Sequence, residues 1–201
     1  TPTPTPTAPA ITGTITYGNA LGAPPAPRFV PNVVVSGAGI PPVVAITNAF
    51  GAYSLTGFGA GAYTVTPTKI GEQNGAISAF DAALIAQHVV GPPLPHLTGN
   101  QLIVADVSGN GRITSFDAGE IANYLVMLTP TGSVGNWIFN PVNRIDPSIT
   151  SDITGEDYAA LLMGEVSGDW ASGVPPRPAR VTVSGGPERS GTNSRVLPRS
   201  E

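Results

Sequence analysis

Asp106-Val-Ser-Gly-Asn-Gly-Arg-Ile-Thr-Ser-Phe-Asp117 is the stretch on which the reading of this chain turns. Counted as a twelve-residue loop, it puts oxygen-bearing side chains at positions 1 (Asp106), 3 (Ser108), 5 (Asn110), 9 (Thr114) and 12 (Asp117). Gly111 stands at position 6, where such a loop turns sharply, and Ile113 at position 8 can pin it to a core. Arg112 at position 7 offers its backbone carbonyl, so its charge is no objection to a bound cation. A hard ion such as Ca²⁺ seeks roughly six to eight oxygens, and this spacing wraps most of them around one ion. The plainer alternative is an Asn-Gly turn in front of an ordinary helix.

The helix is legible too. From Ser115 onward, Phe116, Ile121, Tyr124, Leu125 and Leu128 fall at roughly helical spacing. Asp117 lies in the first turn, where a carboxylate suits both the helix dipole and an ion. The unit then recurs. Ile77-Ser-Ala-Phe-Asp81-Ala-Ala-Leu-Ile-Ala-Gln-His88 aligns with Ile113 to Tyr124, and Ile153-Thr-Gly-Glu-Asp157-Tyr-Ala-Ala-Leu-Leu-Met163 aligns with both. The spacings are 36 and 40 residues, and repetition on that scale points to one supersecondary unit copied and packed on itself. Three loop–helix units are therefore expected.

The flanking loops are poorer. Counting back from Asp81 places Ala76 at position 7, Asn74 at 5 and Glu72 at 3, but Ile70 at position 1 cannot ligate. In the third, Asp146, Ser148, Thr150, Asp152 and Asp157 fall at positions 1, 3, 5, 7 and 12, with Ser151 in place of the turn glycine. Beyond it, Gly164-Glu165-Val-Ser167-Gly-Asp169-Trp170 echoes the start of the central loop. Either this half-loop folds back and lends oxygens from Glu165 and Asp169 to an incomplete site, or it is a polar turn with Trp170 closing the core.

An aspartate at position 12, where the usual EF-hand loop has a long glutamate, and a single following helix make residues 69–170 resemble the type I dockerin family, with three degenerate repeats. The resemblance implies Ca²⁺ held by the loop residues named above, and docking to a cohesin-like receptor. In that family the pair before position 12 carries small hydroxyl residues for recognition. Here the pairs are Ala79-Phe80, Ser115-Phe116 and Gly155-Glu156. Phenylalanine is expected to turn inward, which counts against docking.

Residues 11–68 read as a β-sandwich. Ile11-Thr-Gly-Thr-Ile-Thr-Tyr17 alternates cleanly, and Val33-Val-Val, Val43-Val-Ala-Ile46, Ala52-Tyr-Ser-Leu55 and Ala62-Tyr-Thr-Val-Thr66 follow between Gly, Pro and Asn turns. Thr47-Asn-Ala-Phe-Gly51-Ala-Tyr-Ser-Leu55 and Gly61-Ala-Tyr63-Thr-Val65 make the segment similar to the carboxypeptidase regulatory-like, or prealbumin-like, domain. That likeness implies a binding or spacer module and no peptidase activity. Arg28 is the sole charged residue before Lys69, a surface so short of charge that it fits being covered by neighbours or sugars.

The expected architecture is α+β: a Thr/Pro-rich arm at 1–10, the sandwich at 11–68 packed on a helical dockerin-like domain at 69–172, and a basic tail at 173–201. The arm Thr1-Pro-Thr-Pro-Thr-Pro-Thr7 favours extended polyproline II, and Thr1, Thr3, Thr5 and Thr7 are candidate O-glycosylation sites. Trp137, Ile138 and Phe139 are expected to bury within a long loop at 130–143, and a short helix between His96 and Asp106 to present Leu102, Ile103 and Val104 to the repeats. The tail carries Val181-Thr-Val183, a strand candidate at 181–184, and five arginines without lysine or interleaved aromatics, a pattern that disfavours nucleic acid.

The chain has no cysteine, so metal ions are left as its staples, and no apolar run is long enough to span a membrane. His88 and His96 sit in no triad, zinc or phosphate-loop pattern, which predicts a non-enzymatic protein. The reading that joins these features is a Ca²⁺-stabilised structural protein, extracellular or on the surface of a prokaryotic cell. Copies of it assemble as a homopolymeric filament through strand addition by the extended termini. The alternatives are a docking module for a cohesin-like receptor and a carbohydrate-binding accessory domain.

Overall fold

The computed structural model describes residues 8–92, 96–126 and 132–173; the threonines of the N-terminal arm and the strand expected at 181–184 lie outside them. The described chain holds two β-sheets and three helices.

The first sheet is built around β1 (Ala10–Tyr17), whose alternation turns Ile11, Ile15 and Tyr17 into the core. It pairs antiparallel with β4 (Ala52–Thr56), Ala10 opposite Thr56 and Thr14 opposite Ala52. On its other side it pairs parallel with two strands from far along the chain. These are β8 (Ile153–Thr154), at Ile11 and Thr12, and β9 (Tyr158–Leu162), at Ile15 to Tyr17. Strand β6 (Trp137–Asn140) completes this sheet against β9. The second sheet runs β3 (Val43–Ile46), β2 (Val34–Ala38), β5 (Tyr63–Thr68), β7 (Arg144–Asp146), antiparallel throughout.

Residues 137–162 therefore supply a strand or more to each sheet, and the expected third helix over Ile153–Met163 is corrected. Tyr158–Leu162 is a strand buried at four of its five positions. The run is apolar at every position, so its periodicity favours neither state. Gly155, at φ 76°, stands where a helix would be starting. The parallel edge of β1 offers this segment backbone partners that a third helix would forgo. Gly13 makes the close approach possible, since a Cβ there would lie 2.1 Å from the Glu156 carbonyl oxygen. The long loop expected at 130–143 likewise contains β6, with Trp137 and Phe139 buried.

Between β5 and β6 lie the helices: α1 (Ala79–Val90), α2 (Asn100–Ala105) and α3 (Ser115–Leu125). Both long helices open on a capping box, Ser78 with Asp81 and Thr114 with Asp117. They pack on one another, with Ile85 and Ile121 buried. Helix α2 turns Val104 inward, but Leu102 and Ile103 stay 40% and 43% exposed, contrary to the expectation that all three are presented to the repeats. Trp170, fully buried, packs 5.0 Å from Tyr17 of β1 and 5.1 Å from Trp137 of β6. Its indole N–H donates to the carbonyl of Glu72 at 3.0 Å. Trp137 donates to the Gly71 carbonyl at 2.8 Å. Both tryptophans are core anchors that tie sheet residues to the segment entering α1.

Candidate calcium site

The central loop closes on itself through its own side chains and amides. Asp106 ends α2, and its Oδ1 accepts from the Asn110 amide (3.1 Å) and the Ser108 hydroxyl (3.3 Å), while Oδ2 accepts from the Gly111 amide (2.8 Å). Asn110 Oδ1 accepts from the Arg112 amide at 2.8 Å. Asp117, inaccessible to solvent, closes the far side: Oδ1 accepts from the Ser108 amide (3.0 Å), and Oδ2 from the Thr114 amide (2.8 Å) and hydroxyl (3.1 Å). Gly109 and Gly111 make the turn at φ 70° and 78°. Ile113 packs against the core. Burial pushes the Asp117 carboxyl up, but the amides and hydroxyls of Ser108 and Thr114 outweigh it and hold it below the usual carboxylate range.

The loop thus gathers two carboxylates, an amide oxygen, two hydroxyls and backbone carbonyls, a hard-oxygen set whose two negative charges match one divalent ion. Among the described residues no three His, Cys, Asp or Glu side chains converge on one point, so an ion here would rely on this mixture of charged and neutral oxygens.

In the first repeat only part of the expected set meets. Asp81 is solvent-inaccessible, and its Oδ2 accepts from the Ser78 amide (2.8 Å) and hydroxyl (2.9 Å), as Asp117 does from Thr114. Glu72 instead turns to Lys69 (2.7 Å) and Asn32 (2.8 Å), and Asn74 donates to the Ala171 carbonyl (2.9 Å). Ala76 is buried in the core. What reaches Asp81 is the segment after β9: its Oδ1 accepts from the amides of Val166 (2.8 Å) and Ser167 (2.7 Å). Glu165, also fully buried, has Oε1 accepting from the Ser167 hydroxyl and the Asp169 amide, both at 2.8 Å. Its Oε2 accepts from the Tyr17 hydroxyl and from Asn19.

The third expected loop does not wrap. Asp152 Oδ1 accepts from the Ala10 amide (3.0 Å) and Asp157 Oδ1 from the Thr14 amide (2.7 Å), so both serve the edge of β1. Asp146 lies in β7 and leaves one buried oxygen without a partner. Ser148 and Thr150 fall between β7 and β8.

Arg28, Tyr17 and Asn19 were not foreseen. Arg28 is buried, and its guanidinium donates to the carbonyls of Pro24, Leu21, Gly168 and Trp170, which fixes the 165–170 segment against the start of the sheet. A lone charge in sixty-eight otherwise neutral residues was the available signal.

Residues 72–126 match the model of the dockerin type I domain. The match takes in both capping aspartates, the whole central loop, α1 and α3, and it ends before the third expected repeat. Type I dockerin modules are non-catalytic and bind calcium. Comparison with curated proteins and with solved structures gives no match. Among the described residues no helix is long and apolar enough to cross a membrane.

Within the matched segment the phenylalanines before position 12 correct an expectation. Phe80 and Phe116 do not turn inward; they are 59% and 55% exposed.

Proposed function

We propose that this protein is a calcium-folded docking protein, in which the dockerin-matched helices bind a protein receptor of the cohesin type and the sheets carry and brace them. The division we favour is one β-sandwich drawn from residues 10–68 and 137–162, with the helical unit set into the connection between β5 and β6. One observation carries the docking reading. Each long helix bears the same exposed, uncharged stripe at a 36-residue offset: Phe80, Ala83, Ala86 and Val90 on α1, and Phe116, Gly119, Ala122 and Val126 along α3. Exposed apolar residues repeated in register on two packed helices fit recognition better than solvation. Calcium would be held by Asp106, Ser108, Asn110, Thr114 and Asp117 with the Arg112 carbonyl, fixing the start of α3 and so the pose of Phe116.

Calorimetry against purified type I cohesin modules, with calcium and then with excess chelator, tests this. Binding in calcium, lost in chelator and weakened at least tenfold by Phe80→Ser with Phe116→Ser, is expected. Failure of every cohesin tested, with the double variant unchanged in all assays, would remove the docking reading.

A second reading, the extracellular fibre subunit, has its own support. The outer face of the second sheet carries Val34, Val44, Ile46 and Ile145 exposed, and β3 ends that sheet with one edge unpaired among the described strands. Arg28, the one charged residue before Lys69, is buried, so residues 8–68 present no charged side chain to solvent. Such an edge accepts an added strand from a neighbouring copy, the segment at 181–184 being the donor this reading names. Electron microscopy of the purified chain separates the readings, since fibres favour assembly and single particles favour docking.

A further inference from the structure

The two capping aspartates accept matching sets of hydrogen bonds, although only one has its own complete loop. Ser108 N donates to Asp117 Oδ1; Ser167 N donates to Asp81 Oδ1. The Ser108 hydroxyl and Asn110 amide donate to one oxygen of Asp106; the Ser167 hydroxyl and Asp169 amide donate to one oxygen of Glu165. Thr114 gives its amide and hydroxyl to Asp117 Oδ2; Ser78 gives the same pair to Asp81 Oδ2. Phe116 N and Phe80 N each donate to the capping hydroxyl at 3.3 Å. Glu165, Ser167 and Asp169 thus stand at positions 1, 3 and 5 of a loop whose positions 9 and 12 are Ser78 and Asp81, more than eighty residues earlier.

From this correspondence we infer that the chain carries a second calcium site, split between Ser78–Asp81 and Glu165–Asp169; the inference rests on the calcium reading of the central loop. Burial supports it independently of the loop pattern. Asp81 and Glu165 are both fully buried, and their partners among the described residues are amides, hydroxyls and Asn19, with no Lys, Arg or His. Two charged carboxylates buried together without a cation are costly, and a divalent ion would offset that cost. The nearby guanidinium of Arg28 is committed to carbonyls of the same segment, which orders it without neutralising Glu165. Arg28 is accordingly a positioning residue. An ion here would clasp the start of α1 to the chain leaving β9, so that the helical unit and the first sheet are held at both ends of their connection.

The test is calcium stoichiometry on the full chain, by calorimetry on chelator-stripped protein, with terbium emission excited through Trp170 as a second readout. Two equivalents are expected for the wild type and one each for Glu165→Gln and for Asp106→Asn. Terbium emission should vanish in Glu165→Gln and survive in Asp106→Asn. Asp169→Asn, which installs the residue found at position 5 of the central loop, guards against misfolding of the buried variant; it should weaken one equivalent about tenfold and leave the other alone. One equivalent in the wild type, lost in Asp106→Asn and untouched in Glu165→Gln and Asp169→Asn, overturns the split site while sparing the central one. No calcium bound at all overturns both.

Discussion

Asp117 and Asp81 begin equivalent helices, accept equivalent bonds, and yet are held on opposite sides of the usual carboxylate range. Burial acts upward on both; at Asp117 the donors prevail, and at Asp81 burial prevails. Glu165 follows Asp81, raised first by burial and further by the charge of Asp81 beside it. The difference comes from how each loop is made. The central loop is twelve consecutive residues near the surface and can close as soon as its own turn forms. The split arrangement closes only after β9 has paired with β1 and brought Glu165 beneath Tyr17, a closure across many more residues. One cluster of oxygens is local; the other is a consequence of the whole fold.

The hardest blow to this contrast is Trp170→Ala. The ring is fully buried between Tyr17 and Trp137, and its loss should cost about 3–5 kcal/mol. Because Trp170 follows the Glu165 segment and its ring packs on Tyr17 and Trp137, urea unfolding should show the loss in full. Calcium binding by the Asp106–Asp117 loop should persist in whatever fraction remains folded. If the central loop loses calcium together with the fold's stability, the two loops are one cooperative unit and the contrast fails.

A smaller effect belongs to the central loop. Asp117→Ala removes both a proposed ligand and the N3 half of the capping box whose N-cap is Thr114, and loss of a capping contact costs about 1 kcal/mol. With calcium at a hundred times its dissociation constant, a lost site forfeits about 2.7 kcal/mol more. The melting temperature of Asp117→Ala should therefore fall further below wild type in calcium than in chelator. Equal drops in both conditions would reduce the loop to a turn.

The same contrast explains what could be read from the residues alone. The turn of the central loop was legible because Asp106, Asn110, Thr114 and Asp117 and the glycines between them lie on one short stretch. Most strands of the first sixty-eight residues were legible because their alternation is clean. Strand β9 was not, since Tyr158-Ala-Ala-Leu-Leu162 has no polar face to betray a period and its likeness to Asp81 and Asp117 pulled it toward helix. What decides it is the parallel edge of β1, which local sequence does not contain. The echo Glu165-Val-Ser-Gly-Asp169 was visible, but its partner Asp81 was set by topology. The exposure of Phe80 and Phe116 was hidden for a related reason: an apolar residue faces inward only where a neighbour covers it, and α1 and α3 meet through Ile85 and Ile121.

The smallest effect lies in the third loop, the part of the contrast where no wrapping occurs. Glu156 is 7% exposed, has one oxygen without a partner, and is raised by burial first and by Asp146 second. A carboxyl whose folded pKa exceeds its unfolded value binds more protons when folded, so it lowers stability as pH rises through that folded pKa. Below the ordinary carboxylate range the acid is neutral in both states and costs nothing extra. Glu156→Gln should thus match wild type at acid pH and exceed it near neutrality, by up to about 1 kcal/mol, the scale of one unsatisfied polar group. Melting curves in chelator across that range measure it. A glutamine variant less stable than wild type at neutral pH would mean that the charge of Glu156 has a partner worth keeping, and Arg144, whose charge opposes the shift, is the residue to replace next.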